Sequence, residues 1–176
     1  FVKAGKPIIG ICNGFQVLVK TGLLPGREEP DFIQRASLTL NNTGRYEDRW
    51  VTLDFDQKSN CIWTKGIVRM EVPVRHGEGK FVVPEMNILD EMDATGQLVC
   101  RYVDPTTKTG EGITDEPLPF PFCPNGSIRN IAGICDPTGL IFGLMPHPEG
   151  AHAGWLHHHF RRDRKPTLSP ISSPFS

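Results

Sequence analysis

The stretch PIIGICNGFQVLVK, residues 7–20, decides the fold because its apolar pattern changes abruptly from that of a strand to that of a helix. PIIGI, residues 7–11, is a continuous apolar run, which is typical of a parallel strand buried on both faces. From Asn13 onward the apolar side chains recur at helical spacing, and Gly22 is suited to the end of that helix. The sequence therefore predicts a strand, a tight turn at Cys12 and a helix.

The rest of the chain predicts more strands and a second helix, with no internal repeat. The second helix begins near Pro84 and ends at Gly96. A loop at 75–80, RHGEGK, carries two glycines that allow backbone shapes other residues resist, which makes it a candidate site. We expect one α/β domain with a mixed sheet. The further strands are predicted at 36–40, 50–55, 67–74, 97–103, 131–135 and 140–145.

Composition argues against several classes of function. The chain has 176 residues, enough for one globular domain, and its formal net charge of -1 gives no electrostatic reason to expect nucleic acid. It has no apolar run long enough to span a bilayer and no signal-peptide pattern, so we expect no membrane partner and a cytoplasmic location. The five cysteines are scattered and never form CxxC, which argues against a disulfide framework and a zinc site.

Cys12 has the surroundings of a catalytic nucleophile. It lies between Gly10 and Gly14 where strand meets helix, the pattern of a nucleophile elbow whose tight geometry requires glycine on either side. The helix N-terminus predicts a lowered pKa for the thiol, and the backbone N–H of Asn13 is placed to stabilise an oxyanion. The alternative is that Cys12 is a small buried apolar residue, as most cysteines are.

His147 and Glu149, in the segment MPHPEG, can complete a catalytic set with this thiol. A thiol nucleophile needs a base that also protonates the leaving amine, and His147 follows a predicted strand, where α/β sites gather. Glu149 can orient the imidazole and stabilise its charged form. A single histidine beside a glutamate is more often simply solvated, so the hypothesis depends on the conjunction with Cys12.

The segments GICNGFQ and MPHPE together resemble the class I, triad-type glutamine amidotransferases. The segments LTLNNTGRYEDRW, PVRHGEGKF, CPNGSIRNIAGICDPTG and IFGLMPHPEG, in this order, are similar to the glutaminases of phosphoribosylformylglycinamidine synthase. This resemblance covers most of residues 7–150. It implies a flavodoxin-like, three-layer α/β fold in which Cys12 attacks the side-chain amide of glutamine, His147 moves protons and Glu149 supports His147.

The resemblance also implies substrate-binding residues and a partner. Gln16 matches the family position near the substrate amide, and we expect it to act beside Asn13. Asn42, Arg45 and His76 match segments near the glutamine pocket or the synthetase interface, although Asn-Thr-Gly is also an ordinary turn sequence. The ammonia is expected to pass to a formylglycinamidine ribonucleotide synthetase subunit or domain, which would use ATP and magnesium. No cofactor is expected in this domain itself.

Two features depart from the family pattern. The family places further β-α units before the nucleophile strand, including a glycine-rich loop of the oxyanion hole, and we expect this sequence to lack them. The segment EGAHAGWLHHHF adds His152 and the histidines 157–159, whose spacing does not favour a functional metal site. We place the glutaminase domain at 1–160 and a polar tail at 161–176.

Two other functions fit parts of the pattern. A cysteine peptidase or chaperone-like relative would share the elbow at Cys12, but it would not explain Gln16 or the His147 and Glu149 pair. A non-catalytic or truncated module that only binds the synthetase would fit the expected lack of the first β-α units. The intact catalytic set argues against that second alternative.

Overall fold

The structure is a computed structural model that describes residues 1–27 and 29–151. Every predicted strand and both predicted helices are present, with ends shifted by a few residues. Short 3-10 turns precede the first strand and follow the last. The strands are β1 Ile8–Ile11, β2 Ser37–Thr39, β3 Glu47–Phe55, β4 Arg69–His76, β5 Lys80–Val82, β6 Leu98–Val103, β7 Ile131–Cys135 and β8 Ile141–Leu144, and the helices are α1 Asn13–Lys20 and α2 Met86–Ala94.

A mixed sheet of six strands forms the centre of the described chain, as the sequence predicts. Its strand order is β1-β8-β7-β6-β3-β4, with β1 and β8 parallel and the other neighbours antiparallel. β2 and β5 pair separately as a small antiparallel sheet. The parallel pair places the residues that follow β1 and β8 at the same edge of the sheet.

Successive side chains of the strands pack into two different apolar clusters. In β8, Ile141 packs in one cluster with the buried faces of α1 and α2, whereas Phe142 packs in the other. This alternation is expected because neighbouring strand residues point to opposite faces. The second cluster includes residues of β3, β4 and β6, among them the fully buried Tyr102.

The sheet curls, so that the segments following β1 and β8 contact β4. β1 and β4 lie at opposite ends of the strand order. Nevertheless, the thiol of Cys12, directly after β1, lies 3.7 Å from the carbonyl oxygen of Arg75 in β4. The backbone N–H of His147 donates to the carbonyl oxygen of Pro73, two residues earlier in β4, at 2.8 Å. β4 therefore reaches the edge at which β1 and β8 end.

The prediction that β1 is buried on both faces is wrong. Ile9 is 37% exposed, and only Gly10 of this strand is fully buried. In the described chain β1 is the edge strand next to β8, and α1 packs against it, so a face of the strand stays open.

Some predictions lie outside the described residues. The histidines 152 and 157–159, the proposed domain limit at 160 and the tail at 161–176 all belong to that part of the chain. Within residues 1–27 and 29–151, no helix combines the length and apolar character needed to cross a membrane.

Candidate active site

Cys12 lies in a strained turn between β1 and α1, as expected of a nucleophile elbow. Its φ is 51° and its ψ is -105°, a conformation that residues with a side chain rarely adopt. The backbone N–H of Cys12 still bonds to the carbonyl oxygen of Leu144, at 2.8 Å, so the strained residue is tied to β8. Backbone strain that the surrounding structure holds in place is common where a turn presents a side chain to a ligand.

Only one of the two glycines around Cys12 is required by packing. A Cβ placed on Gly10 would lie 2.7 Å from backbone atoms of Gly14 and 2.6 Å from Cδ1 of Leu18. A Cβ on Gly14 would meet no atom within 4 Å outside its own helix and chain neighbours. The prediction that both positions demand glycine is therefore wrong at Gly14, because its α-carbon faces open space.

The prediction of a lowered pKa for Cys12 is also wrong. Partial burial raises the pKa of the thiol, and the negative charge of Glu149 raises it further. The backbone N–H of Asn13 acts in the opposite direction, as a helix N-terminus should, but burial outweighs it. The free protein therefore holds Cys12 as a thiol, which donates toward the carbonyl oxygen of Arg75.

His147 and Glu149 form the predicted pair. Nδ1 of His147 lies 2.5 Å from a carboxylate oxygen of Glu149, in the turn that follows β8. The carboxylate is mainly exposed, with 62% of its side-chain surface accessible, whereas the imidazole is 20% exposed. Nε2 of His147 is buried and has no hydrogen-bond partner within the described residues.

The fold brings this pair and Cys12 to one site. Ile11 is the register partner of Leu144, so Cys12 and the segment 145–149 leave the sheet at the same edge. The charge of Glu149 reaches the thiol strongly enough to alter its pKa. The thiol of Cys12 and the backbone N–H of His147 also donate to carbonyl oxygens of β4, those of Arg75 and Pro73 respectively. An imidazole that is oriented by a carboxylate and leaves Nε2 free for a nearby thiol can act as its general base.

Asn13 and Gln16 both lie next to the elbow, in α1. The side-chain amide of Asn13 donates to Oε1 of Gln16 at 3.1 Å. Nε2 of Gln16 donates to the carbonyl oxygen of Glu78 at 2.8 Å, which ties α1 to the loop between β4 and β5. Gln16 therefore links the start of α1 to that loop, and its contact with substrate stays a prediction.

His76 is buried close enough to His147 for the charge of that residue to affect its pKa. It is 4% exposed, and burial lowers the pKa of its imidazole to about 4, with a smaller lowering from His147. Nδ1 lies 3.2 Å from Oδ1 of Asn41, and Nε2 has no hydrogen-bond partner within the described chain. His76 is therefore neutral at pH 7 and lies close to the proposed base.

The prediction that the two glycines of the RHGEGK loop adopt backbone conformations that other residues resist is wrong. Neither Gly77 nor Gly79 has a positive φ. Gly79 is required by contact, since a Cβ there would lie 2.4 Å from Cε1 of His76. The loop itself is shorter than predicted, because β4 continues to His76 and β5 begins at Lys80.

Asn42 and Arg45 lie on the exposed turn between β2 and β3. Oδ1 of Asn42 accepts a hydrogen bond from Lys80 at 2.8 Å. The guanidinium of Arg45 makes no hydrogen bond or ion pair within residues 1–27 and 29–151, and neither side chain bonds to the catalytic set there. Their predicted roles in binding remain predictions.

Sequence analysis missed the polar residues that hold the site together. Asn41, next to the predicted Asn42, is 3% exposed and bonds to His76, Arg45 and Gly79. The segment CPNGS supplies Asn125, which is fully buried and donates to the carbonyl oxygen of Gly79 at 2.8 Å. The only available signal was that these residues lie in segments shared with the family, since Asn next to Gly or Thr otherwise indicates a turn.

The described residues contain no group of three or more histidine, cysteine, aspartate or glutamate side chains that could hold a metal ion. Cys61, Cys100, Cys123 and Cys135 are all buried and free, which leaves Cys12 as the partly exposed thiol of the chain.

The chain is similar to known proteins over most of its length. The phosphoribosylformylglycinamidine synthase subunit PurQ of Treponema denticola is 45% identical over 159 residues, covering 85% of this chain and 57% of the relative. The subunit of the same name from Archaeoglobus fulgidus is 43% identical over 163 residues, covering 88% of this chain and 57% of the relative. This chain thus spans little more than half the length of these curated relatives.

A solved structure and a family model complete the comparison. The structure of PurLQS from Thermotoga maritima matches with a TM-score of 0.59 and 27% identity, covering 88% of this chain and 57% of that chain. This match confirms the predicted α/β class I amidotransferase fold. The family described as the CobB/CobQ-like glutamine amidotransferase domain matches residues 1–176. The chain therefore belongs to the CobB/CobQ-like glutamine amidotransferase domain family.

Proposed function

We propose that this chain is the glutaminase component of a phosphoribosylformylglycinamidine synthase, releasing ammonia from glutamine through a thioester on Cys12. One observation carries the proposal. The carboxylate-bound imidazole of His147, with Nε2 buried and free, lies at the sheet edge where the strained elbow presents Cys12. The names of the curated relatives support the substrate and pathway.

Acylation begins with the protonated thiol, because the pKa of Cys12 is raised. Nε2 of His147 takes the proton while the sulfur attacks the carboxamide carbon of glutamine, and Glu149 stabilises the imidazolium that results. The backbone N–H of Asn13 points toward the sulfur and can stabilise the oxyanion of the tetrahedral intermediate. The imidazolium then returns its proton to the leaving nitrogen, and ammonia departs.

Deacylation uses the same groups. Nε2 of His147, neutral again, accepts a proton from a water molecule as that water attacks the thioester carbonyl. The tetrahedral intermediate collapses, the proton returns to the sulfur of Cys12, and glutamate is released. We propose that the ammonia passes to an ATP-using and magnesium-using synthetase partner that aminates formylglycinamide ribonucleotide, consistent with the PurLQS assembly of the structural neighbour.

The direct test is glutamate release from glutamine by the protein with its synthetase partner present. Cys12→Ala is expected to lower the rate by at least about 1000-fold, since a nucleophile is removed. Cys61→Ala is the matched control, because it removes a buried thiol that takes no part in the reaction. Equal rates for the wild type and Cys12→Ala would eliminate the thioester route.

The family assignment favours this activity over a cysteine peptidase or chaperone-like function. The non-catalytic alternative makes a different prediction for the same assay. A module that only binds the synthetase would release no glutamate in either the wild type or the variants, and Cys12→Ala would leave binding of the synthetase unchanged.

A further inference from the structure

A chain of hydrogen bonds runs from the segment CPNGS, residues 123–127, to the turn at Cys12. It begins at Asn125, which is fully buried, and ends at Gln16, whose backbone N–H donates to the carbonyl oxygen of Cys12 at 3.1 Å. The loop 77–79 between β4 and β5 lies between these two ends. The proposed reaction assigns no role to the segment CPNGS, so its buried polar side chains need an explanation of their own.

The peptide unit that joins Glu78 to Gly79 is held from both sides. The carbonyl oxygen of Glu78 accepts Nε2 of Gln16 at 2.8 Å, and the N–H of Gly79 donates to Oδ1 of Asn41 at 3.0 Å. The carbonyl and the N–H of a planar trans peptide point in opposite directions. Only one orientation of this peptide therefore satisfies both side chains, because a flipped peptide would turn an N–H toward the donor of Gln16.

Asn125 fixes the next peptide of the loop. Its Nδ2 donates to the carbonyl oxygen of Gly79 at 2.8 Å, and the hydroxyl of Ser127 is a second donor to the same oxygen at 3.3 Å. Oδ1 of Asn125 accepts the backbone N–H of Ser127 at 3.0 Å, so these partners set the orientation of the amide. Gly79 is thus held at its carbonyl by the segment CPNGS and at its N–H by Asn41.

Gln16 connects this loop to the start of α1. While its Nε2 donates to the loop, its Oε1 accepts Nδ2 of Asn13 at 3.1 Å, and its backbone N–H bonds to Cys12. α1 has only eight residues, so contacts with the rest of the fold, more than helix propagation, set where it begins. Its first turn also carries the backbone N–H of Asn13, which is the oxyanion donor of the proposed reaction.

We infer that Asn125 is a positioning residue of the glutaminase reaction, which fixes the loop 77–79 and, through Gln16, aligns the first turn of α1 for attack by Cys12. The inference rests on the proposed glutaminase function and deepens it. Without the donor of Asn125 the loop peptides can turn, and Gln16 loses its acceptor. The N–H of Asn13 then leaves the place where the transition state needs it.

The narrowest test is Asn125→Asp, which keeps the shape of the side chain. The new carboxyl group still accepts the N–H of Ser127, but its carboxylate form cannot donate to the carbonyl oxygen of Gly79. The kcat and KM for L-glutamine are measured as glutamate release with the synthetase partner present. We expect kcat to fall about tenfold and KM to stay within about threefold, because alignment of the oxyanion donor acts in the transition state.

A double-mutant cycle with Gln16→Met distinguishes positioning from general stability. Methionine keeps the length of Gln16 and removes its hydrogen bonds, so the path from Asn125 to α1 is cut. Asn125→Asp should then lower kcat by less than about twofold in the Gln16→Met background. Asn60→Asp is the matched control, since Nδ2 of Asn60 likewise donates to a backbone carbonyl, that of Pro137. Its effect on kcat should be the same with and without Gln16→Met.

The outcomes separate the two claims. A wild-type protein that releases no glutamate contradicts the proposed function. An active wild type in which Asn125→Asp lowers kcat equally in both backgrounds, or in neither, overturns the inference alone. If Asn125→Asp does not fold, Ser127→Ala replaces it in the cycle, with an expected fall in kcat of about threefold that Gln16→Met abolishes. Equal falls in the two backgrounds would overturn the inference there as well.

Discussion

At the scale of single residues, the thiol of Cys12 is held between opposing influences. Burial and the carboxylate of Glu149 favour the protonated form, and the N–H of Asn13 favours the thiolate. Because burial and Glu149 prevail, the thiolate of the proposed reaction forms only when a base accepts the proton. A thiol that ionises together with proton transfer to His147 is protected from alkylation and oxidation between turnovers.

This balance predicts the reactivity of Cys12 in the free protein. At pH 7 iodoacetamide should alkylate it no faster than an unperturbed thiol, and the rate should rise with pH as the thiolate forms. Glu149→Gln removes a negative charge near the sulfur, so it should lower the pKa of Cys12 and speed alkylation even as glutaminase activity falls.

The measurement is the alkylation rate against pH, read by mass spectrometry of the Cys12 peptide. Glu91→Gln removes the charge of an exposed glutamate in α2 and serves as the control. An alkylation rate at pH 7 well above that of a free thiol would show that the helix N-terminus outweighs burial after all.

Residue patterns predicted which side chains the fold brings together better than they predicted the groups that support them. Cys12, His147 and Glu149 were singled out because they follow strand ends, and the structure places them at one edge of the sheet, while their roles in the reaction stay predictions. Asn41 was missed in favour of Asn42, because two adjacent asparagines in a turn sequence look equivalent. Only the fold shows that one is buried against His76 and the other exposed.

At the scale of elements, the junction of β1 and α1 sets the position of Cys12. The strand, turn and helix were predictable because the apolar period changes sharply at Cys12. The different roles of the two flanking glycines were not, since they depend on how closely the strand approaches the first turn of the helix. Gly10 faces the backbone of Gly14 at 2.7 Å, whereas Gly14 faces open space.

This difference predicts opposite effects of alanine at the two positions. Gly10→Ala should destabilise the protein by about 1–3 kcal/mol and reduce activity, because a Cβ forces apart backbone atoms that cannot move independently. Gly14→Ala should leave stability unchanged or raise it by up to about 1 kcal/mol, since alanine favours a helix.

Urea unfolding of the two variants measures the effect, with glutamate release measured alongside. Gly14 is the matched control for Gly10, since both lie two residues from Cys12. Similar losses of stability in both variants would mean that the packing at the elbow differs from that in the structure.

At the scale of the whole molecule, the curl of the sheet completes the site. The strands and the mixed character of the sheet followed from sequence patterns, but the contacts of β4 with the segments after β1 and β8 did not. The contacts of Cys12 with Arg75 and of His147 with Pro73 join positions far apart in the chain, and accumulated twist and curl determine them. For the same reason, the proximity of His76 to His147 could not be derived from spacing alone.

The central claim is that this curl lets Cys12 and His147 act as one unit on glutamine. The most direct measurement mixes the protein and its synthetase partner with glutamine, quenches the reaction in acid, and analyses the cysteine peptides by mass spectrometry. We predict a γ-glutamyl adduct on Cys12 in the wild type and none in His147→Ala, where the thiol keeps its proton. An adduct on another cysteine, or one that forms on Cys12 equally fast without His147, would contradict the account.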